Sequence, residues 1–406
     1  MRIGIYGGTF NPPHLGHMTA ARSIMEALEL DKLIFVPAAQ PPHKALPALT
    51  ATAGERWEMI CLAADGLLLG ERVEVSDLEM SREGKSFTSD TLAQLRLRYP
   101  EDELWLLTGT DMFLSLHSWH EPEKILALCS VAAFSREKAG DRWAMESQAK
   151  ALEERFGARV RLLELPEVRE ISSTQIREML AGGEEEAAAD CLPEPVYGYI
   201  LRHGLYGTHA DLKRLSDRDL RACSYSMIRA KRIRHVKGTE EEAQRLALRW
   251  GGDAVKARRA AILHDCTKYL ELPEQLALCA QYGIELDEME RKMVKLLHSK
   301  TGAAIARAVY GADEDIFWAI FWHTTGKADM TLLEQILYLA DYMEPNRDFP
   351  GVERLRALAY EDLDKALLLG FEMSVEEMRE RGLQVHPNTL SARDWMLSRG
   401  VTLEDA

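Results

Sequence analysis

The first half of the chain alternates short apolar runs with longer segments in which apolar residues recur at helical spacing. The short runs have the length of strands, and they lie at residues 2–6, 32–37, 73–75, 104–109, 131–135 and 160–165. Helical periodicity separates them, for example at residues 15–30, 52–69 and 89–99. Strands that are separated by helices are typical of a parallel sheet covered on both faces. The pattern predicts a doubly wound α/β fold for residues 1–206.

The second half of the chain has a different pattern, because apolar residues recur there at helical spacing almost throughout. The predicted helices lie at residues 226–237, 239–250, 255–264, 288–298, 302–310, 315–322 and 332–343. A polar and charged stretch at 207–223 lies between the two patterns, and we expect it to form a linker or a surface helix. The sequence therefore predicts a separate all-α domain over residues 224–406.

Length and charge narrow the classes of function. The 406 residues are enough for two or three domains with cores of their own. The 50 basic and 65 acidic side chains give a net charge of −15, which disfavours a nucleic-acid-coating role. No signal peptide, long apolar stretch or CxxC pair of cysteines is evident. We therefore expect a reduced, cytoplasmic protein with neither nucleic-acid nor membrane partners.

A glycine loop with two histidines follows the first predicted strand, in the sequence GGTFNPPHLGH at residues 7–17. Glycines allow a ligand to approach the backbone, and the helix that follows offers its N-terminal amides to an anion. His14 and His17 are three residues apart near that helix start, so a helical turn would direct both rings toward one phosphate. The residues alone leave open two surface histidines beside a tight turn.

This loop resembles the signature of nucleotidyltransferases with a His-x-Gly-His motif. Further stretches narrow the resemblance to bacterial nicotinate-mononucleotide adenylyltransferases, and they occur in family order: FVPAAQPPHK, SFTSDTL, GTDMFLSLHSWH and ISSTQIR. The resemblance covers nearly all of residues 1–206. It implies that the phosphate of nicotinate mononucleotide attacks the α-phosphorus of ATP, with magnesium accompanying ATP, to give nicotinate adenine dinucleotide and pyrophosphate.

The same resemblance assigns roles to individual residues. It implies that His14 and His17 contact the ATP phosphates and that His17 stabilises the transition state. The remaining nucleotide ligands that it implies are Gly7, Gly8, Thr9, Lys44, Asp111, Ser173 and Arg177, and the pyridine pocket that it implies contains Thr88 and Trp119. A solvated loop lysine at position 44 and a core aromatic at position 119 remain alternatives. The preference for nicotinate over nicotinamide rests on the resemblance.

Histidines and aspartates form an ordered series in the second half. The residues are His235, His264, Asp265, His298, His323 and Asp341. Imidazole and carboxylate are suitable ligands for zinc, iron or manganese, and ligands on separate helices can converge in a bundle. An ionisable pair at the end of an apolar helix, as in AAILHDCTK, is costly unless something binds it. The series therefore predicts a metal site.

The order of these residues resembles the HD-domain phosphohydrolases. The stretches RIRHVKGT, HDCTK, LLHSKTGA, FWHTTG and LADYMEPNR resemble, more narrowly, the bacterial HD-domain enzymes that split diadenosine tetraphosphate into two ADP. The resemblance implies one metal held by His235, His264, Asp265 and Asp341. It implies a second metal held by His298 and His323, bridged by a catalytic Asp265 to the first. Iron is the first expectation and manganese the second.

Several alternatives remain open at the level of the sequence. Lys268, Arg232 and Arg347 are interpreted as phosphate ligands, and a role as surface basic residues explains them about equally well. The HD half could instead be a nucleotide-sensing regulatory module, or could hydrolyse a guanosine alarmone or a cyclic dinucleotide. The first half could be another small-molecule transferase, with ATP replaced by CTP. A homo-oligomer is compatible with the sequence.

Overall fold

The chain divides into two units, Met1–His209 and Ala210–Ala406. The computed structural model describes residues 1–40, 50–82, 84–135, 142–165, 168 and 171–403. Lys44, a predicted phosphate ligand, lies outside these residues.

The first unit is built on a sheet of six parallel strands, as the alternating pattern predicts. The strands are β1 (Arg2–Gly8), β2 (Lys32–Pro37), β3 (Val73–Val75), β4 (Glu103–Gly109), β5 (Ser130–Ser135) and β6 (Val160–Glu164). Their order in the sheet is β3-β2-β1-β4-β5-β6, and every pair is parallel. The order reverses between β1 and β4, and ligands of such sheets bind in the crevice at that point.

Helices connect these strands and complete the first unit. They are α1 (Leu15–Ala27), α2 (Ala53–Asp65), α3 (Thr88–Arg98), α4 (Thr110–Ser115), α5 (Pro122–Leu128), α6 (Arg142–Phe156), α7 (Ser173–Ala181), α8 (Glu185–Ala189) and α9 (Glu194–His203). Side chains from both faces of β1 are buried, Ile3 and Ile5 on one face and Tyr6 on the other. A strand covered on both faces reads as an unbroken apolar run, which explains the pattern in the sequence.

The second unit is helical throughout its described residues. Its helices are α10 (Asp217–Tyr225), α11 (Ala230–Trp250), α12 (Ala254–Leu263), α13 (Leu272–Gln281), α14 (Val294–Ala308), α15 (Glu314–Trp322), α16 (Leu332–Met343), α17 (Val352–Glu361), α18 (Leu363–Glu380) and α19 (Pro387–Ser398). The fold class of this unit agrees with the prediction. Among the described residues of both units, we find no helix with the length and apolar character needed to cross a membrane.

Two predicted helix breaks in the second unit are wrong: one falls at Gly238, and the other, at residues 299–301, directly precedes Gly302. Gly238 lies inside α11 and Gly302 lies inside α14, where the sequence pattern suggested a boundary. A Cβ at Gly238 would overlap the carboxylate of Glu344, and one at Gly302 would lie 3.3 Å from the carbonyl oxygen of His264. These glycines therefore permit close packing rather than ending a helix.

Residues 207–223, for which we expected a linker or a surface helix, contain most of a helix. The stretch contains a short 3-10 turn at Leu212–Arg214 and most of α10, which begins at Asp217 with Ser216 as its N-cap. Leu220 and Cys223 are buried in the second unit. The segment looks polar in sequence because only one narrow face of α10 is apolar.

Candidate active sites

A cavity of about 590 Å³ lies at the carboxyl ends of β1 and β4, where the strand order reverses. Its walls include seven of the predicted ligands: Gly7, Gly8, Thr9, His17, Thr88, Asp111 and Trp119. The cavity thus joins the glycine loop to the residues predicted for the pyridine nucleotide. Its place in the sheet is the usual one for a nucleotide in doubly wound folds.

The glycine loop brings its two histidines together. His14 is the N-cap of α1, and its ring lies 3.7 Å from the ring of His17, measured between centroids. The backbone N–H of His14 donates to Nδ1 of His17 at 3.2 Å. Because Nδ1 of His17 accepts this bond, the ring proton of neutral His17 is on Nε2, where it can be donated to a phosphate oxygen.

The lack of a side chain has a different consequence at each of the two loop glycines. A Cβ at Gly7 would meet no described atom within 4 Å, so its absence leaves room beside the cavity. A Cβ at Gly8 would lie 3.0 Å from the ring of Phe10, which adopts a left-handed backbone with φ of 48°. Gly8 therefore accommodates the Phe10 ring within the loop.

Ser173 and Arg177 contact the glycine loop itself. The hydroxyl of Ser173 donates to the carbonyl of Pro12 at 2.8 Å, and Arg177 donates to the carbonyl of Asn11 at 2.7 Å. Tyr206 donates to the side-chain oxygen of Asn11 at 2.8 Å. Ser173 and Arg177 do not appear on the cavity wall, and neither does the buried His14. In this structure they border the loop, so their predicted contact with the triphosphate remains a prediction.

Arg56 supports the same loop, and sequence reasoning missed it. Its side chain is 0% exposed, on α2, and it donates to the carbonyls of Thr9, Ala38 and Ala39 at 2.9, 2.5 and 2.9 Å. Burial disfavours its charged form and lowers the pKa of Arg56. A guanidinium is well suited to join two loops because its donors form a rigid fork. Arginine side chains are seldom fully buried. The sequence around position 56 therefore gave no reason to expect a buried arginine that supports the glycine loop.

A buried carboxylate lies on the side of the cavity that contains Thr88. Glu79 lines the cavity and accepts a hydrogen bond from the hydroxyl of Thr91 at 2.7 Å. Burial raises the pKa of Glu79, and the hydrogen bond from Thr91 opposes this effect only in part. Trp119 also lines the cavity while packing against the core of the unit, so the core alternative agrees with the structure and its contact with the pyridine ring remains a prediction. The sequence did not indicate Glu79.

The six predicted metal ligands of the second unit converge at one buried cluster. His235 lies on α11, His298 on α14 and Asp341 on α16, whereas His264 with Asp265 and His323 directly follow α12 and α15. Nε2 of His235 lies 2.9 Å from Oδ1 of Asp341 and 3.3 Å from Nε2 of His264. The cluster therefore assembles side chains from five helices or helix ends.

Asp265 lies between the two halves of this cluster. Its Oδ2 is 3.5 Å from Nε2 of His264, and its Oδ1 is 3.2 Å from Nε2 of His298 and 3.9 Å from Nε2 of His323. One carboxylate oxygen thus faces each histidine pair. A carboxylate in this position would be able to contribute one oxygen to each of two cations.

Three of the four histidines are oriented by their own helices. Nδ1 of His264, His298 and His323 lies 2.6, 2.7 and 2.7 Å from the carbonyl oxygen three residues earlier. Since a carbonyl can only accept, Nδ1 carries the proton and Nε2 keeps its lone pair. All three lone pairs then face the cluster.

The electrostatics of the cluster suit a cation. Burial opposes ionisation, but the positive neighbours outweigh it and hold the pKa values of Asp265 and Asp341 well below their usual range. Burial also lowers the pKa of His298 and His323, which favours neutral rings. Ionised carboxylates and neutral imidazoles are the forms that bind divalent metals. Ligand atoms of His235, His264 and Asp341, and those of His264, Asp265 and His323, lie within 4.8 Å of one another. The residues therefore fit a metal.

Basic side chains surround the same cluster. Nε of Arg232 lies 2.5 Å from Asp265, a nitrogen of Arg347 lies 3.0 Å from Asp341, and Nζ of Lys268 lies 3.0 Å from Nε2 of His298. Each is only partly buried. Cationic groups beside a metal cluster are suited to phosphate oxygens.

Fold and sites define two classes in one chain. The first is a nucleotidyltransferase fold with a histidine loop at the switch point of its sheet, and the second is a helical domain with the ordered histidine and aspartate cluster. The family model described as cytidylyltransferase-like matches residues 5–179, and the HD domain model matches residues 232–346. The chain is thus a fusion of the two.

Relatives narrow the first class. A probable nicotinate-nucleotide adenylyltransferase of Exiguobacterium sibiricum is 37% identical over 51% of this chain and 100% of its own length. One of Thermus thermophilus is 39% identical over 51% and 100%. A solved structure of a predicted HD superfamily hydrolase involved in NAD metabolism, from Clostridium acetobutylicum, is 39% identical over 46% of this chain and 98% of its own, with a TM-score of 0.45. The chain belongs to the nicotinate-nucleotide adenylyltransferase family and carries an HD domain in addition.

Proposed function

We propose that the first unit transfers AMP from ATP to nicotinate mononucleotide. The observation that carries this proposal is the single cavity wall that joins Gly7 and His17 to Thr88 and Trp119. It offers one end to a triphosphate and the other to an aromatic ring. Helix α3 begins at Thr88 on this wall, and the N-terminus of a helix favours an anion such as the nicotinate carboxylate.

The reaction requires little of the protein beyond alignment and charge stabilisation. An oxygen of the mononucleotide phosphate attacks the α-phosphorus of ATP, and the bond to the β-phosphate oxygen breaks as pyrophosphate leaves. His17 donates its Nε2 proton in a hydrogen bond to the oxygens where charge develops. The Asn11 and Pro12 carbonyls, held by Arg177 and Ser173, keep the loop in place for that contact. Magnesium, when bound with ATP, neutralises phosphate charge.

The test is a steady-state assay of the full-length protein with ATP and either nicotinate or nicotinamide mononucleotide. We expect His17→Ala to lower kcat/KM by about 100- to 1000-fold, as the loss of a preorganised donor does. His203→Ala is the control, because His203 lies at the end of α9 and does not line the cavity. Equal rates for His17→Ala and the parent protein would refute the role of His17. Preference for CTP would refute the substrate assignment.

We further propose that the HD unit hydrolyses diadenosine tetraphosphate to two ADP, with iron as its metal and manganese as a substitute. The observation that carries this proposal is the placement of Asp265 between the two histidine pairs with basic residues around it. His235, His264 and Asp341 would hold one ion, and His298 and His323 the other. When bound, the two ions activate water and polarise the phosphoryl oxygens.

The chain's own residues orient the substrate for this cleavage. Arg232, Lys268 and Arg347 bind phosphate oxygens on both sides of the attacked phosphorus. They are needed because the carboxylates of Asp265 and Asp341 already offset part of the charge of the two ions, which leaves the charge of the tetraphosphate incompletely neutralised. A water oxygen attacks phosphorus, the bond to the central bridging oxygen breaks, and ADP leaves with that oxygen. The water protons are released to the product phosphates and solvent.

The test is to supply diadenosine tetraphosphate to the full-length protein with iron(II) or manganese(II) and to separate the nucleotides. We expect ADP alone, lost in His264→Ala, while adenylyl transfer in that variant stays unchanged. ATP plus AMP would refute symmetrical cleavage. Turnover of a guanosine alarmone or a cyclic dinucleotide instead would refute the substrate. No hydrolysis with any metal would favour a regulatory module.

A further inference from the structure

Glu344 is a buried carboxylate beside the metal cluster that the proposed chemistry does not use. It is 1% exposed and directly follows α16, three residues after Asp341. Its Oε1 lies 3.2 Å from Nδ1 of His235. His235 is thus the one histidine of the cluster whose Nδ1 faces a carboxylate instead of a backbone carbonyl.

The carboxylate of Glu344 is held from two further directions. The backbone N–H and the side-chain amide of Asn346 each donate to its Oε2 at 2.7 Å. The same amide donates to the carbonyl of Arg234 on α11 at 3.1 Å. Asn346 therefore ties the position of Glu344 to the helix that carries His235.

Gly238 provides the space for this carboxylate. It lies on α11 three residues after His235, and a Cβ at this position would overlap Oε2 of Glu344. The packing explains a glycine in the middle of a 21-residue helix, where it costs about 1 kcal/mol relative to alanine. Gly238 and Asn346 thus both help to hold the carboxylate of Glu344 against His235.

We propose that Glu344 is a positioning residue that fixes His235 with its proton on Nδ1 and its lone pair on Nε2 toward the metal. The inference rests on the metal-dependent function proposed above. A carboxylate partner also makes the imidazole a stronger ligand than a carbonyl partner does. We therefore expect the ion held by His235, His264 and Asp341 to bind more tightly than it would if a backbone carbonyl accepted the Nδ1 proton of His235.

Glu344→Gln separates positioning from structural support. If the amide oxygen keeps the two bonds from Asn346, the NH2 group faces Nδ1 of His235 and donates to it. Nδ1 must then accept, and the proton moves to Nε2, which can no longer bind a metal. The variant retains its packing but presents the wrong tautomer.

The experiment measures Mn2+ binding to the full-length protein through the electron paramagnetic resonance signal of free Mn2+, with unfolding of the metal-free protein followed in parallel. We expect Glu344→Gln to weaken binding about 10- to 100-fold while the metal-free unfolding temperature stays unchanged. Gly238→Ala should also weaken binding, because its methyl displaces the carboxylate. In NMR spectra of metal-free protein labelled with 15N-histidine, Glu344→Gln should remove the proton from Nδ1 of His235.

Glu242→Gln is the matched control. Glu242 is also buried on α11, but it accepts from Tyr360 at 2.7 Å and does not face the cluster. We expect this variant to bind Mn2+ like the parent protein. Unchanged binding in Glu344→Gln, equal losses in both variants, or weaker binding accompanied by an equally destabilised metal-free protein would overturn the inference. A parent protein that binds no Mn2+, iron(II) or Co2+ would instead refute the metal-dependent function.

Discussion

Replacing Arg56 with methionine tests how the glycine loop is held. Each of its three hydrogen bonds joins a cation to a carbonyl, at 2.5 to 2.9 Å, and such a bond contributes about 1.5–3 kcal/mol. Methionine keeps the apolar stem, and the released carbonyls near the cavity can bind water. We therefore expect a net loss of about 3–5 kcal/mol, below the sum of the three bonds.

Calorimetry of the full-length protein measures this loss. For a unit of 209 residues, 1 kcal/mol corresponds to about 2–4 °C, so the transition should fall by about 6–20 °C. The transition of the first unit is recognised by its upward shift with nicotinate adenine dinucleotide. The KM for ATP should rise, because the Thr9 backbone loses its support. Arg72→Met is the control: exposed Arg72 also donates to backbone carbonyls, those of Leu30 and Asp31, away from the cavity. A fall of less than about 3 °C with unchanged KM would refute this account of Arg56.

Three further outcomes follow from buried carboxylates. Burial raises the pKa of Glu79, so ionisation of this side chain destabilises the fold above that pKa. Glu79→Gln should be at least as stable as the parent protein at pH 8. The difference between the urea midpoints of the two proteins should disappear below pH 4.5. His386 and Lys300 lower the pKa of Glu290 to about 2, although burial opposes them. Glu290→Gln should therefore lower the free energy of unfolding by about 3 kcal/mol at pH 7, measured with urea. This difference from the parent protein should shrink as the pH falls from 4.5 toward 2. Asp265→Asn should abolish metal binding, measured by metal analysis, and hydrolysis, with adenylyl transfer unchanged.

The fold could be predicted because burial determines the apolar pattern. Strands covered on both faces produce unbroken apolar runs, and helices covered on one face produce a period of 3.6 residues. The predicted helix boundaries at Gly238 and beside Gly302 were wrong. A glycine in a sequence does not reveal whether it ends a helix or lets a neighbouring group pack closely against the helix. That distinction depends on Glu344 and His264, which lie 106 and 38 residues away from them in the chain.

The sequence could predict those candidate site residues that lie in short recognisable motifs. The buried cluster of the second unit is assembled from residues that the ordered histidine and aspartate series contains, so its members were identifiable before their convergence was known. Arg56 and Glu344 were missed because charged residues usually face solvent, and only long-range contacts reveal that these two are buried. Residues that support a site therefore escape a reading of the sequence more often than residues that line it.

The two proposed functions require histidine in opposite forms, and the partner of Nδ1 decides which form is present. At His17 that partner is a backbone N–H, so Nδ1 accepts and Nε2 keeps a proton for a phosphate oxygen. At His264 the partner is a carbonyl, so Nδ1 donates and Nε2 keeps a lone pair for a metal. Glu344 extends the second arrangement by adding a charge at His235. The chemistry of each histidine is therefore set by the group that faces its Nδ1, and substitutions that replace an acceptor with a donor at Nδ1 should convert a metal ligand into a proton donor without changing the histidine.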